Sequence, residues 1–191
     1  QKHFCADVKA LTDSMARTFV KWREFDSGIA NDERRGYVSA LVYLAITLHV
    51  SSMKLLLSGQ TIAAGNLLRH VIECIALALL CSCKELDVLP RFMEDKYSSN
   101  AAVRDVLRHH DKLSLKDDAL RTLSTSQDFY HKYSHITKMT IAVGMSLSEK
   151  GWLCVGASFD EGKLEEYRKE VNGRIGLAKV FANFVDAVTY N

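Results

Sequence analysis

The chain has little of the glycine and proline that an all-β protein needs. Its 191 residues include ten glycines and a single proline, Pro90. All-β folds place turn residues about every 8–12 positions, so this shortage argues against them. No repeat, low-complexity tract or flexible linker interrupts the sequence, and its length suits one folding unit. We therefore predict a single, mainly α-helical domain over residues 1–191.

Strong net charge is also missing. Lysine and arginine number 25 against 23 aspartates and glutamates, which gives a net charge of +2 and no strong long-range attraction to nucleic acid. The first residues lack the layout of a signal peptide. Cys81 and Cys83 are two residues apart and would point to different faces of a helix, so we expect buried, unpaired thiols. Such thiols are typical of the cytoplasm, which is the predicted location.

Two long apolar stretches, over residues 38–57 and 60–83, are the most hydrophobic parts of the chain. In the second, apolar residues recur at helical spacing around more than half of the circumference, which is typical of a helix inside a protein. Arg69 and Glu73 lie at its middle, where charges are costly in lipid. We therefore predict a buried helix and no contact with a membrane.

Helical periodicity covers most of the remaining sequence. Asn31 or Asp32 is expected to cap the second helix, Ser58-Gly59 to turn it into the central helix, and Ser114 to cap a long later helix. The turn at Gly59 predicts that the second and central helices form an antiparallel hairpin. We predict an antiparallel helical bundle from helices over residues 4–28, 31–58, 60–83, 85–97, 100–111, 115–139 and 160–190.

The pattern changes before the last helix. Thr140–Leu147 and Trp152–Phe159 are two β-compatible runs that flank the tetrapeptide Ser-Glu-Lys-Gly. They predict a small β-hairpin, while continuation of the preceding helix through Leu147 is the alternative. Since an exposed hairpin edge is hard to leave unpaired, we expect it to pack on the helices or to help form a homodimer.

Two polar clusters are candidates for a functional site. Arg69 and Glu73 lie on one face of the central helix, where a buried pair of charges must be hydrogen-bonded. His131 and His135, with Ser134 beside them, are expected near the end of the long helix over 115–139. Asp128 and Lys138 would share the histidine face of that helix.

Three interpretations of these clusters are open. His131 and His135, at i and i+4, could hold a metal ion with a carboxylate from Asp128 or Glu73. The same histidines could instead move protons while Arg69, Lys132 or Lys138 stabilises a phosphorane, which is metal-independent ribonuclease chemistry. The third interpretation is a structural polar network without chemistry. We predict no bound cofactor.

The order of these residues resembles that of the HEPN superfamily, in particular its divergent bacterial branches. The resemblance rests on a helical hairpin with Arg-x-x-x-Glu on its second helix and a later helix with Tyr-x-x-x-Ser-His. Here these motifs are Arg69 with Glu73, and Tyr130 with Ser134 and His135. The similarity covers roughly residues 35–140.

The resemblance implies a four- to five-helix bundle that dimerises, and a metal-independent RNase or an effector that binds RNA or nucleotides. Its catalytic residues would be His135, His131, Arg69, Glu73 and Ser134. HEPN RNases use an Arg-x(4–6)-His motif, which this chain matches only at Arg104 with His109 and His110, so Arg69 would have to supply the cation. The alternative is a non-catalytic helical interaction module whose polar cluster is a structural core network.

Overall fold

The computed structural model of the chain is mainly helical, as its composition predicts. It describes residues 2–113, 115, 117–149, 151–154 and 156–191, with only the backbone of Lys2, Asp117 and Asp118. Short 3-10 turns cover Lys2–Phe4, Lys132–Ser134 and Glu161–Lys163. The α-helices of this part of the chain are α1 (Cys5–Ser27), α2 (Glu33–Leu57), α3 (Thr61–Ser82), α4 (Val88–Met93), α5 (Ser99–Arg108), α6 (Asp117–His131), α7 (Lys138–Val143) and α8 (Leu164–Tyr190).

Helices α2 and α3 pack along each other as an antiparallel pair, as the turn at Gly59 predicts. The Asp32 side chain accepts a hydrogen bond from the Arg35 N–H and so caps α2. At its other end, Gly59 has φ +81, a left-handed conformation that glycine adopts without strain. Arg34 at the start of α2 donates to the Cys81 carbonyl at the end of α3 over 2.8 Å. This hydrogen bond connects the two helices at the end of the pair that lies away from the Gly59 turn.

Helix α3 is the centre of the packing. It contacts α2, α4, α5, α6, α7 and α8, and most of its residues from Val71 onward are buried. Helix α8 lies along α1 and also touches α2 and α3. By length and composition alone, Glu33–Leu57 and Thr61–Ser82 could each cross a membrane, with 39% and 67% of their most apolar windows buried within the protein. Core helices of water-soluble proteins pass the same test.

The prediction of one long helix over residues 115–139 is wrong. Helix α6 ends at His131, the chain makes a 3-10 turn, and His135 is extended before α7 begins at Lys138. Thr137 and Thr140 form a capping box that starts α7 as a separate helix. Because the helix is broken, His131 and His135 do not share the helical face that their spacing predicts. The predicted cap Ser114 lies outside the described residues.

The predicted β-hairpin is not found either. No strand occurs in residues 138–149, 151–154 or 156–159; a single antiparallel bridge joins Met145 to Leu153. Lys150 and Val155, which the two runs and their turn include, lie outside the described residues. The alternative, continuation of the preceding helix through Leu147, is not found either, because α6 ends at His131 and α7 is a separate helix that ends at Val143.

Two side chains near the start of α8 explain why the hairpin ladder does not form. The Asp160 carboxylate accepts hydrogen bonds from the Ser148 hydroxyl and from the Leu147 N–H, and the latter is a backbone donor that a strand would use in its ladder. These hydrogen bonds favour the charged form and hold the pKa of Asp160 well below its usual value. Lys163 donates to the carbonyls of Ala142 and Val143 and so ends α7.

His49 is a buried histidine between α2 and α8. Its Nε2 lies 3.0 Å from the carbonyl oxygen of Arg174, so Nε2 carries the hydrogen and donates it. Burial lowers the pKa of His49 from 6.5 to about 4, because a charged imidazolium is poorly solvated there, and the nearby Arg174 charge acts in the same direction. The folded protein therefore keeps His49 neutral at pH values where the unfolded chain binds a proton.

We predict that the protein becomes less stable as the pH falls from 6.5 towards 4. With a folded pKa of about 4, the loss from His49 at pH 5 is about 2 kcal/mol. Urea unfolding at pH 7 and pH 5 should show that wild type loses about 2 kcal/mol more than His49→Gln. His131→Gln, a change at an exposed histidine, should keep the wild-type pH dependence. Parallel pH profiles for wild type and His49→Gln would contradict the prediction.

Candidate functional site

The first candidate cluster is centred on the guanidinium of Arg69. Its Nε donates to Oε1 of Glu73 over 2.8 Å, within α3. Its Nη1 donates to the hydroxyl of Ser134 over 2.8 Å, and its Nη2 reaches the side-chain oxygen of Asn100 at 3.5 Å. The Ser134 hydroxyl in turn donates to the side chain of Asn66 over 2.8 Å. We call these five residues the Arg69 cluster.

Three elements of the fold meet in the Arg69 cluster. Asn66, Arg69 and Glu73 lie on α3, Asn100 lies on α5, and Ser134 belongs to the 3-10 turn after α6. The Arg69 side chain is 16% exposed and that of Glu73 only 5%. A charge pair this deeply buried needs well-placed partners, because an unpaired buried charge is strongly destabilising. The two motifs that the sequence places apart are therefore in direct contact.

His131 and His135 lie outside this contact. Both side chains are exposed, and their ring centroids are 4.6 Å apart at an angle of 63°. Neither is a hydrogen-bond partner of Arg69, whose donors go to Glu73, Ser134 and Asn100. The structure thus brings Arg69, Glu73 and Ser134 together and leaves the two histidines on the adjacent surface.

The arrangement offers little for the metal interpretation. Within the described residues, no group of three or more His, Cys, Asp or Glu side chains is placed to hold a metal ion. His70, beside the Arg69 cluster, is exposed, and its Nδ1 lies 3.6 Å from Oε2 of Glu73. Two cavities of the described chain, one beside the α2–α3 turn and one beside the start of α2, are lined by no residue of the Arg69 cluster and by neither His131 nor His135.

Arg104, the arginine that matches the Arg-x(4–6)-His spacing, is on the surface near the end of α5. Its side chain is exposed and its Nε donates to the adjacent Asp105. Cys74 and Cys81 on α3 are also poor candidates for a nucleophile, since burial raises the pKa of Cys74 to about 11 and that of Cys81 to about 12. Thiols with such pKa values are poor nucleophiles at neutral pH.

Sequence reasoning missed a second buried network, centred on Arg174 of α8. Arg174 is completely buried, and its Nη1 donates to Oε2 of Glu170 over 2.6 Å. Its Nε donates to the hydroxyl of Ser52 on α2. The hydroxyls of Tyr130 and Tyr133 each donate to a different oxygen of the Glu170 carboxylate over 3.1 Å. We call these five residues the Arg174 network.

The Arg174 network is a structural core rather than a set of reactive groups. Burial, followed by the negative charge of Glu170, raises the pKa of Tyr130 and Tyr133 well above the usual value for tyrosine. Both phenols therefore stay protonated and act as hydrogen-bond donors. The sequence held one signal: Arg174 is three residues after Val171 and four before Ala178, both on the apolar stripe of the last helix. An arginine within such a stripe must find a buried partner, here one turn earlier at Glu170.

Comparisons of the chain with protein-family models, with curated proteins and with solved structures gave no match. The functional argument therefore depends on the geometry of the two clusters and of the surface around them.

Gly65 on α3 lies directly against the segment after α6, so a larger side chain at this position tests how closely the two pack. A Cβ added at Gly65 would lie 2.4 Å from the Tyr133 ring, whereas one added at Gly36 on α2 meets nothing within 4 Å. We predict that Gly65→Ala destabilises the protein by about 1–3 kcal/mol, since the ring must move. Gly36→Ala should stabilise it by about 0.5–1 kcal/mol, because alanine favours the helix. Chemical denaturation measures both, and equal effects of the two changes would contradict the predicted contact.

Proposed function

We propose that this chain is a HEPN-like helical protein that acts as a non-catalytic interaction module and forms a homodimer. In this proposal its helices form an antiparallel bundle, and the Arg69 cluster fastens α5 and the segment after α6 to α3. The observation that carries it is the set of partners of Arg69: Nε, Nη1 and Nη2 all have acceptors within the chain. Because each of its three nitrogens has a partner within the chain, this arrangement favours a structural role for the guanidinium over stabilisation of a phosphorane.

The HEPN-like relationship is supported by the contact between its two motifs. Arg69 and Glu73 supply the first motif, Ser134 belongs to the second, and Arg69 and Ser134 are hydrogen-bonded. Tyr130, also of the second motif, is buried on Glu170 rather than in the Arg69 cluster. The proposal includes a cytoplasmic location without membrane contact, with which the protonated, poorly reactive thiols of Cys74 and Cys81 agree.

The interaction surface of this proposal is an exposed apolar segment directly after the histidines. Its side chains are between 43% and 93% exposed and leave roughly 800 Å² open, about what each partner of a standard protein interface buries. Large exposed apolar surfaces mark sites of association. A second copy of this chain would supply the same apolar surface in return. The members of this apolar segment are Ile136, Ile141, Met145, Leu147, Trp152 and Leu153.

A specific observation favours a second candidate function, a metal-independent RNase. The exposed rings of His131 and His135 are 4.6 Å apart, close enough for both to contact one phosphodiester. Lys132, between them in sequence, is also exposed and could provide positive charge in place of Arg69. In this candidate the RNA would lie on the surface beside the apolar segment, and the Arg69 cluster would only position Ser134 and His135.

We predict that the protein is a dimer at micromolar concentration and that Leu153→Glu makes it a monomer. The reason is that a charge at the centre of an apolar interface is desolvated without a partner. Light scattering and sedimentation measure the mass, and circular dichroism checks that the helices remain. Glu94→Leu, a change at an exposed residue outside the apolar segment, is the control and should remain dimeric. A monomeric wild type would contradict the dimer.

The two candidate functions predict different results with RNA. The interaction module predicts that wild type leaves labelled single-stranded RNA intact, with or without EDTA. Cleavage by wild type that persists in EDTA, and that His135→Ala removes without lowering the melting temperature, would instead establish the RNase. His70→Ala is the matched control, because it removes another exposed histidine and should leave any cleavage unchanged.

A further inference from the structure

One cavity of the described chain has no role in the proposed function. It has a volume of about 460 Å³ and lies between the turn that joins α2 to α3, the first residues of the chain, residues 157–159 and α8. This volume is within the range of small-molecule binding sites, roughly 300–1,000 Å³. Its walls include the rings of His3, Phe159 and Tyr167, and no Asp, Glu, Lys or Arg of the described residues lines it.

Aromatic rings form one side of this cavity. The rings of His3 and Phe159 are nearly parallel, with an interplanar angle of 13° and centroids 5.8 Å apart. The ring of Tyr167 on α8 also contacts Phe159, with the two ring centroids 5.6 Å apart. Phe159 nevertheless remains 52% exposed, so part of this apolar ring lies uncovered in a concave surface. A flat aromatic molecule could cover it by stacking.

Another part of the cavity wall is formed where two backbone segments touch. A Cβ at Gly59 would lie 2.7 Å from the carbonyl oxygen of Ser158, so the α2–α3 turn and residues 157–159 touch directly. This approach needs a glycine, because any Cβ would clash with the Ser158 backbone, and it fixes the position of these two segments of the wall against each other. Ser58 adds a hydroxyl at the rim, and Leu56 and Val171 add apolar surface.

We propose that this cavity binds a neutral, planar aromatic molecule of one or two fused rings. The stacked rings favour a flat π-system over an aliphatic one. The lack of charged lining residues disfavours an ionised ligand, since its charge would lose water without gaining a partner. The serine hydroxyl and the exposed backbone of the rim can satisfy one or two polar groups on the ligand. This proposal does not rest on the interaction-module function or on the RNase alternative.

Binding of three small molecules to the cavity tests this proposal. Indole is the neutral planar probe, cyclohexylmethanol is the neutral non-planar probe, and indole-3-carboxylate is the charged planar probe. Titration of the ¹⁵N-labelled full chain should give saturable shifts with indole, confined to the amides around the cavity: residues 3–4, 56–59 and 157–159 and the part of α8 near Tyr167 and Val171. We expect at least tenfold weaker binding of the other two compounds. Phe159→Leu, which keeps apolar volume but removes the flat face, should weaken indole at least fivefold. Phe19→Leu, an exposed aromatic position on α1 outside the cavity, should change nothing.

Three outcomes would overturn the proposal. The first is the absence of saturable shifts up to the solubility limit of indole. The second is indole binding that Phe159→Leu leaves unchanged, or carboxylate binding as tight as that of indole. The third is the same pattern of shifts when the concentration of protein alone is raised, which would make a second copy of the chain the occupant.

Discussion

The hydrogen bond from Arg69 to Ser134 joins the central helix α3 to the segment that follows α6. Arg69 lies on the central helix and Ser134 follows α6, and the same guanidinium also holds Glu73 and reaches Asn100 on α5. The break after His131 depends on this arrangement, since a continuous helix would carry Ser134 away from its position on α3. With the helix broken there, His135 and the apolar segment are directed to the surface.

A second Arg–Glu pair, deeper in the protein, is stabilised in the same way by polar side chains from other elements. Arg174 and Glu170 are one helical turn apart on α8, as Arg69 and Glu73 are on α3. Each pair is completed by side chains from another helix, with Ser52 and two tyrosines around Arg174. Tyr130 and Tyr133 belong to the Arg174 network, and Ser134 belongs to the Arg69 cluster. The stretch from Tyr130 to Ser134 therefore joins both networks, which explains why Gly65 must leave room for the Tyr133 ring.

The sequence predicted the helices with strong apolar periodicity and failed where side chains far apart in sequence decide the backbone. The central helix, the hairpin with α2 and the cap at Asp32 follow from local patterns, and the structure confirms them. The continuous helix over 115–139 fits its local pattern equally well. It fails because Thr137 starts a new helix and Arg69 and Asn66 hold Ser134. Likewise, Asp160 and Lys163, beyond the predicted hairpin runs, bind the groups that a strand pair would need.

The candidate site could be predicted only in part, for a similar reason. The pairing of Arg69 with Glu73 follows from helical spacing, since residues four apart meet on one face. The contact of Ser134 with Arg69 joins residues far apart in sequence and does not follow from helical spacing, and the exposure of both histidines required the tertiary structure. Burial of Arg174 was signalled by its position in the apolar stripe, but its partners Tyr130 and Tyr133 come from a different helix and turn.

A double-mutant cycle between Arg69 and Ser134 is the most direct test of whether the Arg69 cluster is a structural fastening. The free energy of unfolding would be measured for wild type, Arg69→Ala, Ser134→Ala and the double variant. A structural role predicts that Arg69→Ala costs about 3 kcal/mol and that the pair is coupled by about 1–2 kcal/mol, because each change leaves the same hydrogen bond unmade. Additive effects, together with an Arg69→Ala variant as stable as wild type, would contradict it.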